Sequence, residues 1–387
     1  MACYAAFAKD TSIRTNASSG GVFPVISTNF IENNHIVYAF VYDDAFKVVC
    51  KRITSPSELT KSFCSKYVQG RMNDSLKKIK NDLKEGHNVL FCGTPCQVAG
   101  VKRFLESLKC NTENLLLIDF ICHGVPSEDV FQKYMERYHG TCTYLNMRDK
   151  TNGWYNGNFS WDMHFADDSQ QIRPIRSVPY MTGFLSNLYL RPSCYSCKMK
   201  GKSYADLTVG DFWGVASVIR DINIQNGVSC IIERTEKGHL CLSRVRNDLD
   251  LFEVTYQDIA KSNNSLYSSP KRPYFRHGFF KKYKRTADFD RLIASLSKPN
   301  IINRVINKAY SYVPVSFSVK GLANKNEQLI YAKKEHCCGC SACVSACPTQ
   351  AIYLKKDSEG FFYPVIENTK CVHCHLCEKI CPLQQNG

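Results

Sequence analysis

No apolar stretch of the chain reaches the roughly 18 residues that a membrane-crossing helix needs, so no transmembrane segment is expected. The opening run from Met1 to Asp10 lacks the basic start and the long apolar core of a secretion signal, which points to the cytoplasm. No nucleic-acid recognition motif accompanies the basic residues, so nucleic acid is not expected as a partner. Acidic residues are the scarce charge: 35 Asp and Glu stand against 50 Lys and Arg, a formal +15. The imbalance is local, because residues 271–334 hold 15 Lys and Arg and only 3 Asp and Glu. Such a stretch reads as a solvated linker. It reads equally as a docking surface for an acidic redox partner, an anionic cofactor tail or a membrane face.

Cysteine is abundant, at 21 residues, and eight of these form two runs near the C-terminus. The first is Cys337-x-x-Cys340-x-x-Cys343-x-x-x-Cys347-Pro348, and the second is Cys371-x-x-Cys374-x-x-Cys377-x-x-x-Cys381-Pro382. This double spacing is the bacterial ferredoxin signature for two [4Fe–4S] clusters, in which the fourth thiolate of each run crosses to the other cluster. Cys337, Cys340, Cys343 and Cys381 are therefore assigned to one cubane, and Cys371, Cys374, Cys377 and Cys347 to the second. Zinc knuckles would need neither the fourth cysteine nor its proline. Ala351–Leu354 and Phe361–Ile366 read as short strands joined by a turn at Asp357–Gly360, and the duplicated halves predict approximate two-fold symmetry. Cys338 falls outside the ligand spacing and reads as a bystander. Thiolate clusters of this kind need a reducing interior, in line with the cytoplasm.

The first 270 residues alternate strands and helices. Strands at Ile36–Tyr42 and Phe46–Cys50, a helix at Asn73–Glu85 and a buried strand at Asn88–Phe91 lead to Cys92-Gly93-Thr94-Pro95-Cys96 and a helix from Gln97. Leu115–Ile121 is a second buried strand, followed by Cys122-His123-Gly124 and a helix capped by Ser127. This is the grammar of a parallel α/β core, whose ligands bind beyond the carboxyl ends of the strands. Further strands are expected at Phe159–Phe165, Gln171–Val178, Asp206–Val209 and Val228–Glu233. Cys96 opens a helix, where free N–H groups suit an anion or a thiolate. Together with Cys122 and the Cys194-x-x-Cys197 loop it could close a third four-thiolate site, a zinc site, or remain among isolated core thiols. Ser18-Ser19-Gly20-Gly21 before an apolar helix suits close approach to a phosphate or ring, although helix caps look similar. Cys3, Cys50, Cys110, Cys142, Cys230 and Cys241 have no partners at ligand spacing and read as small buried hydrophobes.

Six blocks occur in order: Ser18–Phe23, Ser65-Lys66-Tyr67-Val68-Gln69, Gly93–Gln97, Cys122–Ser127, Cys194-x-x-Cys197 and Leu207–Gly214. Together they resemble the beta-subunit family of coenzyme F420 hydrogenase/dehydrogenase, over roughly residues 4–285. The resemblance implies a flavoprotein, with FAD, and a [4Fe–4S] cluster on Cys96, Cys122, Cys194 and Cys197. It places Ser18, Ser19, Gly20, Gly21, Ser65, Lys66, Tyr67, Gln69, Gly93, Thr94, Pro95, His123 and Gly124 at the flavin. Two features depart from the family: Cys64 and Gly70 stand where Gly and Ser are usual, and the ferredoxin module follows this domain instead of preceding it.

The expected architecture is an α/β (α+β) flavin-binding domain with a parallel-sheet core at residues 1–285, a basic helical linker at 286–334 and a small ferredoxin-like dicluster domain at 335–387. The linker contains helical pieces at Asp288–Ser297 and Ile301–Tyr312. A flavin accepts a hydride as an electron pair and releases single electrons. The expected activity is thus an oxidoreductase linking a soluble deazaflavin- or nicotinamide-type hydride carrier, or a redox partner protein, to one-electron clusters. Lys66 and His123 are the candidates to steer a proton or hold the flavin's electron-rich edge. A non-catalytic electron-transfer subunit that docks another enzyme is the rival reading. A reductase of polysaccharide biosynthesis ranks below it, because no glycosidase-like carboxylate pair is present.

Overall fold

A computed structural model describes residues 1–297, 301–310 and 316–384. In chain order the strands are β1 (Cys3–Ala8), β2 (Ile36–Tyr42), β3 (Val48–Ile53), β4 (Val89–Gly93), β5 (Leu115–Phe120), β6 (Cys142–Asp149) and β7 (Ser160–Phe165). They continue with β8 (Gln170–Pro174), β9 (Leu207–Asp211), β10 (Ser229–Glu233), β11 (Leu249–Glu253), β12 (Glu327–Leu329), β13 (Ile352–Lys356) and β14 (Phe362–Glu367). The main sheet runs β11-β1-β10-β9-β5-β4-β2-β3 among the described residues.

Only its centre is parallel: β2 with β4, β4 with β5, and β5 with β9. These strands read as continuous apolar runs because helices cover both faces; Val89–Gly93 is buried throughout. The flanks β3, β10, β1 and β11 are antiparallel, so the parallel-sheet expectation holds for the core and not for the edges. Antiparallel pairing with β2 needs only the short Asp43–Lys47 turn, whereas another parallel strand would need a long crossover. Helix Ser75–Lys84 buries Leu76, Ile79 and Leu83 on one face. Helix Pro95–Ser107 starts directly after β4, with Pro95 in its first turn and Gln97 Oε1 accepting from Thr94 N at 3.0 Å.

A second sheet, β6-β7-β8, is antiparallel. It packs Trp161 and Met163 into a core with Tyr180, Tyr189 and Phe279. The expected strand to Val178 stops at Pro174, where residues Ile175–Ser177 tighten into a 3₁₀ turn. The basic segment is not a free linker at either end. Phe289 and Ile293 of helix Phe289–Ser297 are buried in that same core. At the far end, β12 pairs with β14 of the ferredoxin module. Of the expected helix Ile301–Tyr312, Ile301–Tyr310 is helical, and residues 311 and 312 lie outside the described residues.

The ferredoxin module sits directly against the larger domain. Cys340, Ala342, Ala346 and Ile380 share a hydrophobic cluster with Val98, Val101, Phe104 and Leu105 of helix Pro95–Ser107. Gly100 permits the contact, since a Cβ there would fall 2.7 Å from the Cβ of Cys340. Arg276 donates to both oxygens of Glu359, at 2.8 and 2.7 Å, while Ser127 Oγ donates to the Glu359 carbonyl at 2.5 Å. Lys356 of the module pairs with Asp129 at 2.7 Å. Part of the basic stretch is thus matched by acidic residues of the same chain. Among the described residues no helix is long and apolar enough to cross a membrane.

Candidate functional site

Cys96, Cys122, Cys194 and Cys197 line one pocket at the carboxyl ends of β4 and β5. Cys96 begins helix Pro95–Ser107, Cys122 lies just past β5, and the other two come from the 3₁₀ turn Pro192–Ser196 and its end. The whole pocket they help to line, counting its open mouth, is about 780 Å³. Val125 N donates to Cys194 Sγ at 3.4 Å, and Thr94 Oγ1 lies 3.2 Å from Cys96 Sγ. Burial, and then the neighbouring thiols, push the Cys122 and Cys194 acids up, the latter to about 12. Cys96 is raised by its contact with Cys338 and by burial. Four partly buried thiols line this one pocket, and thiolates are the ligands that iron–sulfur clusters use. The donor set therefore fits a four-thiolate metal cluster.

In the ferredoxin module Cys343 stands beside Cys337 and Cys381, and Cys340 beside Cys343 and Cys381. Cys347 packs on a hydrophobic cluster that also takes in Cys343, Cys371 and Cys377. The duplication is visible in the backbone. Gly339 and Ser341 have positive φ of 77° and 62°, and the matching His373 and His375 have 52° and 56°. Ser341 and His375 each precede a short helix, Ala342–Ala346 and Leu376–Lys379. Left-handed residues at these points turn a tight loop so that its thiols face inward. Ala351 N donates to Cys347 Sγ at 3.3 Å. Cys337 and Cys340 are buried, whereas Cys374 is exposed.

Cys338 is not remote from the chemistry, contrary to its reading as a bystander. Its thiol is a close neighbour of both Cys96 and Cys340, and it lines the four-thiol pocket. Linear spacing hid this role, because the contact forms only when the module docks. The helix that starts at Pro95 meets both cysteine systems: Cys96 lines the pocket and Gly100 faces Cys340. Four residues at about 1.5 Å each separate the two levels by about 6 Å.

The residues expected at the flavin fall into two linked groups. Ser18 Oγ accepts from Ser65 N at 2.6 Å, and Arg148 joins Ser18 O, Tyr67 Oη and Asp211 at 2.8, 2.9 and 2.8 Å. Lys150 Nζ donates to the carbonyls of Arg14, Ser19 and Asn226 at 2.6, 2.5 and 2.7 Å. Burial pulls Lys150 down to about 7 and Lys66 down to about 8. Lys66, Arg148 and Lys150 all act on Cys64, but the three protons of Lys150 Nζ are taken by carbonyls and Arg148 is paired with Asp211, so Lys66 and the unpartnered Arg148 Nε are the donors left to meet an anion. Gly20 and Gly21 serve packing: a Cβ on Gly20 would meet Ala6 O at 2.3 Å, and Gly21, at φ +89°, begins helix Val22–Glu32. Gly70 likewise leaves room for the Phe40 ring, 2.5 Å from a would-be Cβ.

Pro95, His123 and Gly124 form the second group and line the four-thiol pocket. Phe184 connects the groups, packing on Tyr67 at 5.1 Å and His123 at 5.2 Å between ring centroids. Burial lowers the His123 pKa, and its Nε2 faces Asn187 Oδ1 at 2.6 Å. Gly93 ends β4 and Thr94 caps the helix that carries Cys96. Gln69 lies apart from these residues, 3.0 Å from Arg191.

Arg148, Lys150, Arg191 and Asp119 were not singled out from the sequence. Asp119 lines the same pocket from β5, accepts from Ser203 Oγ at 2.7 Å and leaves Oδ1 without a hydrogen-bond partner. Burial raises its pKa to about 6. An acidic residue inside the apolar run Leu115–Phe120 was the available signal.

Three family models match the chain and agree with this layout. The model for the N-terminal region of the coenzyme F420 hydrogenase/dehydrogenase beta subunit matches residues 3–77, and the model for the C-terminal region of that subunit matches residues 86–257. A 4Fe-4S dicluster domain matches residues 336–384. A solved structure of the F420-reducing [NiFe] hydrogenase complex from Methanosarcina barkeri is similar over 69% of this chain and 88% of that chain, with 15% identity and a TM-score of 0.47. No curated protein matches the chain. The chain belongs to the coenzyme F420 hydrogenase/dehydrogenase beta-subunit family, extended at residues 336–384 by a 4Fe-4S dicluster domain.

Proposed function

We propose that this protein is an iron–sulfur flavoprotein oxidoreductase, acting in the cytoplasm between a soluble hydride carrier of deazaflavin or nicotinamide type and one-electron acceptors. The observation that carries the reading is the adjacency of two cysteine systems on one helix: Cys96 opens the four-thiol pocket, and one turn later Gly100 admits Cys340 of the dicluster module. When bound, FAD would supply the exchange between paired and single electrons that cubanes alone lack.

The chain's own residues divide that work. Lys66 and the Nε of Arg148 would meet a diphosphate beside the Ser18–Gly21 turn, which Lys150 braces through its bonds to three carbonyls. Pro95, His123 and Gly124 border the pocket in which a ring would face the four thiols. Cys96, Cys122, Cys194 and Cys197 would hold a third [4Fe–4S] cluster, Cys337, Cys340, Cys343 and Cys381 an inner ferredoxin cluster, and Cys371, Cys374, Cys377 and Cys347 an outer one. His123, held by Asn187, would orient the ring edge. Lys66, whose pKa burial lowers to about 8, would exchange a proton. The exposure of Cys374 supports the outer site as the place where electrons meet a partner protein. The test is anaerobic mixing of purified protein with reduced deazaflavin or reduced nicotinamide. Flavin absorbance should bleach first and iron–sulfur absorbance follow. Clusters that accept electrons only from another protein, with no flavin present, would support the non-catalytic carrier instead.

A further inference from the structure

Arg191 is fully buried between the two cysteine systems. Its Nε donates to Cys337 O at 2.8 Å, and Nη2 donates to Phe362 O at 2.9 Å and to Cys337 Sγ at 3.4 Å. Nη1 donates to Gln69 Oε1 at 3.0 Å. The guanidinium also lies 4.3 Å from the centre of the Tyr363 ring. Among the described residues none of these partners is a carboxylate. A guanidinium does not shed its proton in proteins, and a buried charge without a counter-charge is strongly disfavoured. Arg276, a few residues from the same interface, shows the usual solution, a bidentate carboxylate in Glu359. Arg191 has a neutral amide in that place, and the anion it lacks must come from the cysteine sites it touches. Cys337 Sγ is in contact, and Arg191 begins the turn that carries Cys194.

We propose that the thiolate-bound cubane at Cys337 is the counter-ion of Arg191, which thereby docks the dicluster module and raises the reduction potential of that inner cubane relative to the outer ferredoxin cubane. This rests on the clusters assigned under the proposed function and adds a positioning residue to them. Cluster potentials respond to nearby charge and to hydrogen bonds on the sulfurs, and Arg191 supplies both on the side facing the Cys96 pocket. The outer site at Cys371, Cys374 and Cys377 receives neither from it. Each transfer across this contact removes one electron on the Cys96 side and adds one on the Cys337 side. Arg191 remains a cation throughout and carries no proton. The electrons originate with the hydride carrier, two per hydride, and so cross in two steps.

The experiment uses the full chain, isolated anaerobically with its clusters and titrated with a reductant under EPR. Two substitutions remove the local positive charge in different ways. R191Q deletes it, and Q69E, close in shape to the native residue, places a carboxylate on Nη1. Both should make the inner cubane at least tenfold harder to reduce, a downward shift of about 59 mV for one electron, and leave the outer one in place. R191K should fall between them and the native protein. Full iron content with unshifted potentials in either charge variant overturns the proposal, as does an equal shift of both ferredoxin cubanes. A wild-type measurement decides the matter even where a variant fails to assemble. Protein labelled with ¹⁵N-arginine should show a nitrogen coupling to the reduced inner cubane by pulsed EPR, and its absence overturns the assignment. Wild-type protein without iron would instead overturn the proposed function itself.

Discussion

Replacing Glu359 by Gln tests whether the dicluster module is fixed to the larger domain. The Arg276 side chain is 3% exposed and that of Glu359 is 15% exposed. Removing one partner of a buried ion pair typically costs about 3–5 kcal/mol. Here Arg276 keeps two further acceptors, Leu190 O at 3.0 Å and Tyr195 Oη at 3.2 Å, and glutamine retains one of the lost bonds. A cost at or just below the lower end is therefore expected, about 2–3 kcal/mol, or roughly thirty- to a hundredfold in the docking equilibrium at about 1.4 kcal/mol per decade. Hydrogen exchange of the amides around Cys337–Val344 should accelerate by that factor, while strands β4 and β5 keep their protection. The double variant Arg276→Met with Glu359→Gln should recover much of the loss, because it leaves no buried charge behind. A change below about 0.5 kcal/mol in the single variant, the range of a solvated surface pair, would refute the interface as described.

Cys197→Ser should lower the iron content from about twelve to about eight per chain while both ferredoxin signals survive; loss of a ferredoxin signal would argue against a separate site. Asp119 has its acid raised to about 6 by burial, so the folded state holds a proton that the unfolded chain gives up. Stability should therefore fall as pH climbs from about 4 to about 6 and stay reduced above that window. Asp119→Asn should gain up to about 2–3 kcal/mol at pH 8 and nothing below about pH 4, and an equal gain at both pH values in thermal unfolding would reject this. Burial pulls Lys66 to about 8 and Lys150 to about 7, so both lose charge as pH rises. Pyrophosphate should bind more tightly at about pH 6.5 than at about pH 9, with proton uptake on binding near pH 8; calorimetry showing one affinity across the range would contradict the anion site.

Much of this arrangement was legible locally. The cysteine runs, the two strand–turn–helix units and the short hairpin of β13 and β14 all depend on contacts within a few tens of residues. The antiparallel edges were harder, because β10 and β1 pair across more than two hundred residues of chain and their patterns say nothing of direction. Strand β12 is three residues long, too short for alternation to register, which hid the attachment of the basic segment to the module. Cys338, Gly100 and Arg191 acquire meaning only at the docked interface. A lone arginine before a proline carries no periodic signal, and a glycine inside a helix signals close approach without naming the neighbour. Lys150 carries no local signal, because its three carbonyl partners, Arg14, Ser19 and Asn226, lie far from it in the chain and come together only in the fold.

The account stands most directly on composition of the isolated protein. Iron, acid-labile sulfide and flavin should be counted per chain after strictly anaerobic purification, with Mössbauer spectra to identify the iron. About twelve irons, all in [4Fe–4S] centres, and one FAD are expected. Zinc in place of iron, or eight irons with no flavin, would contradict it.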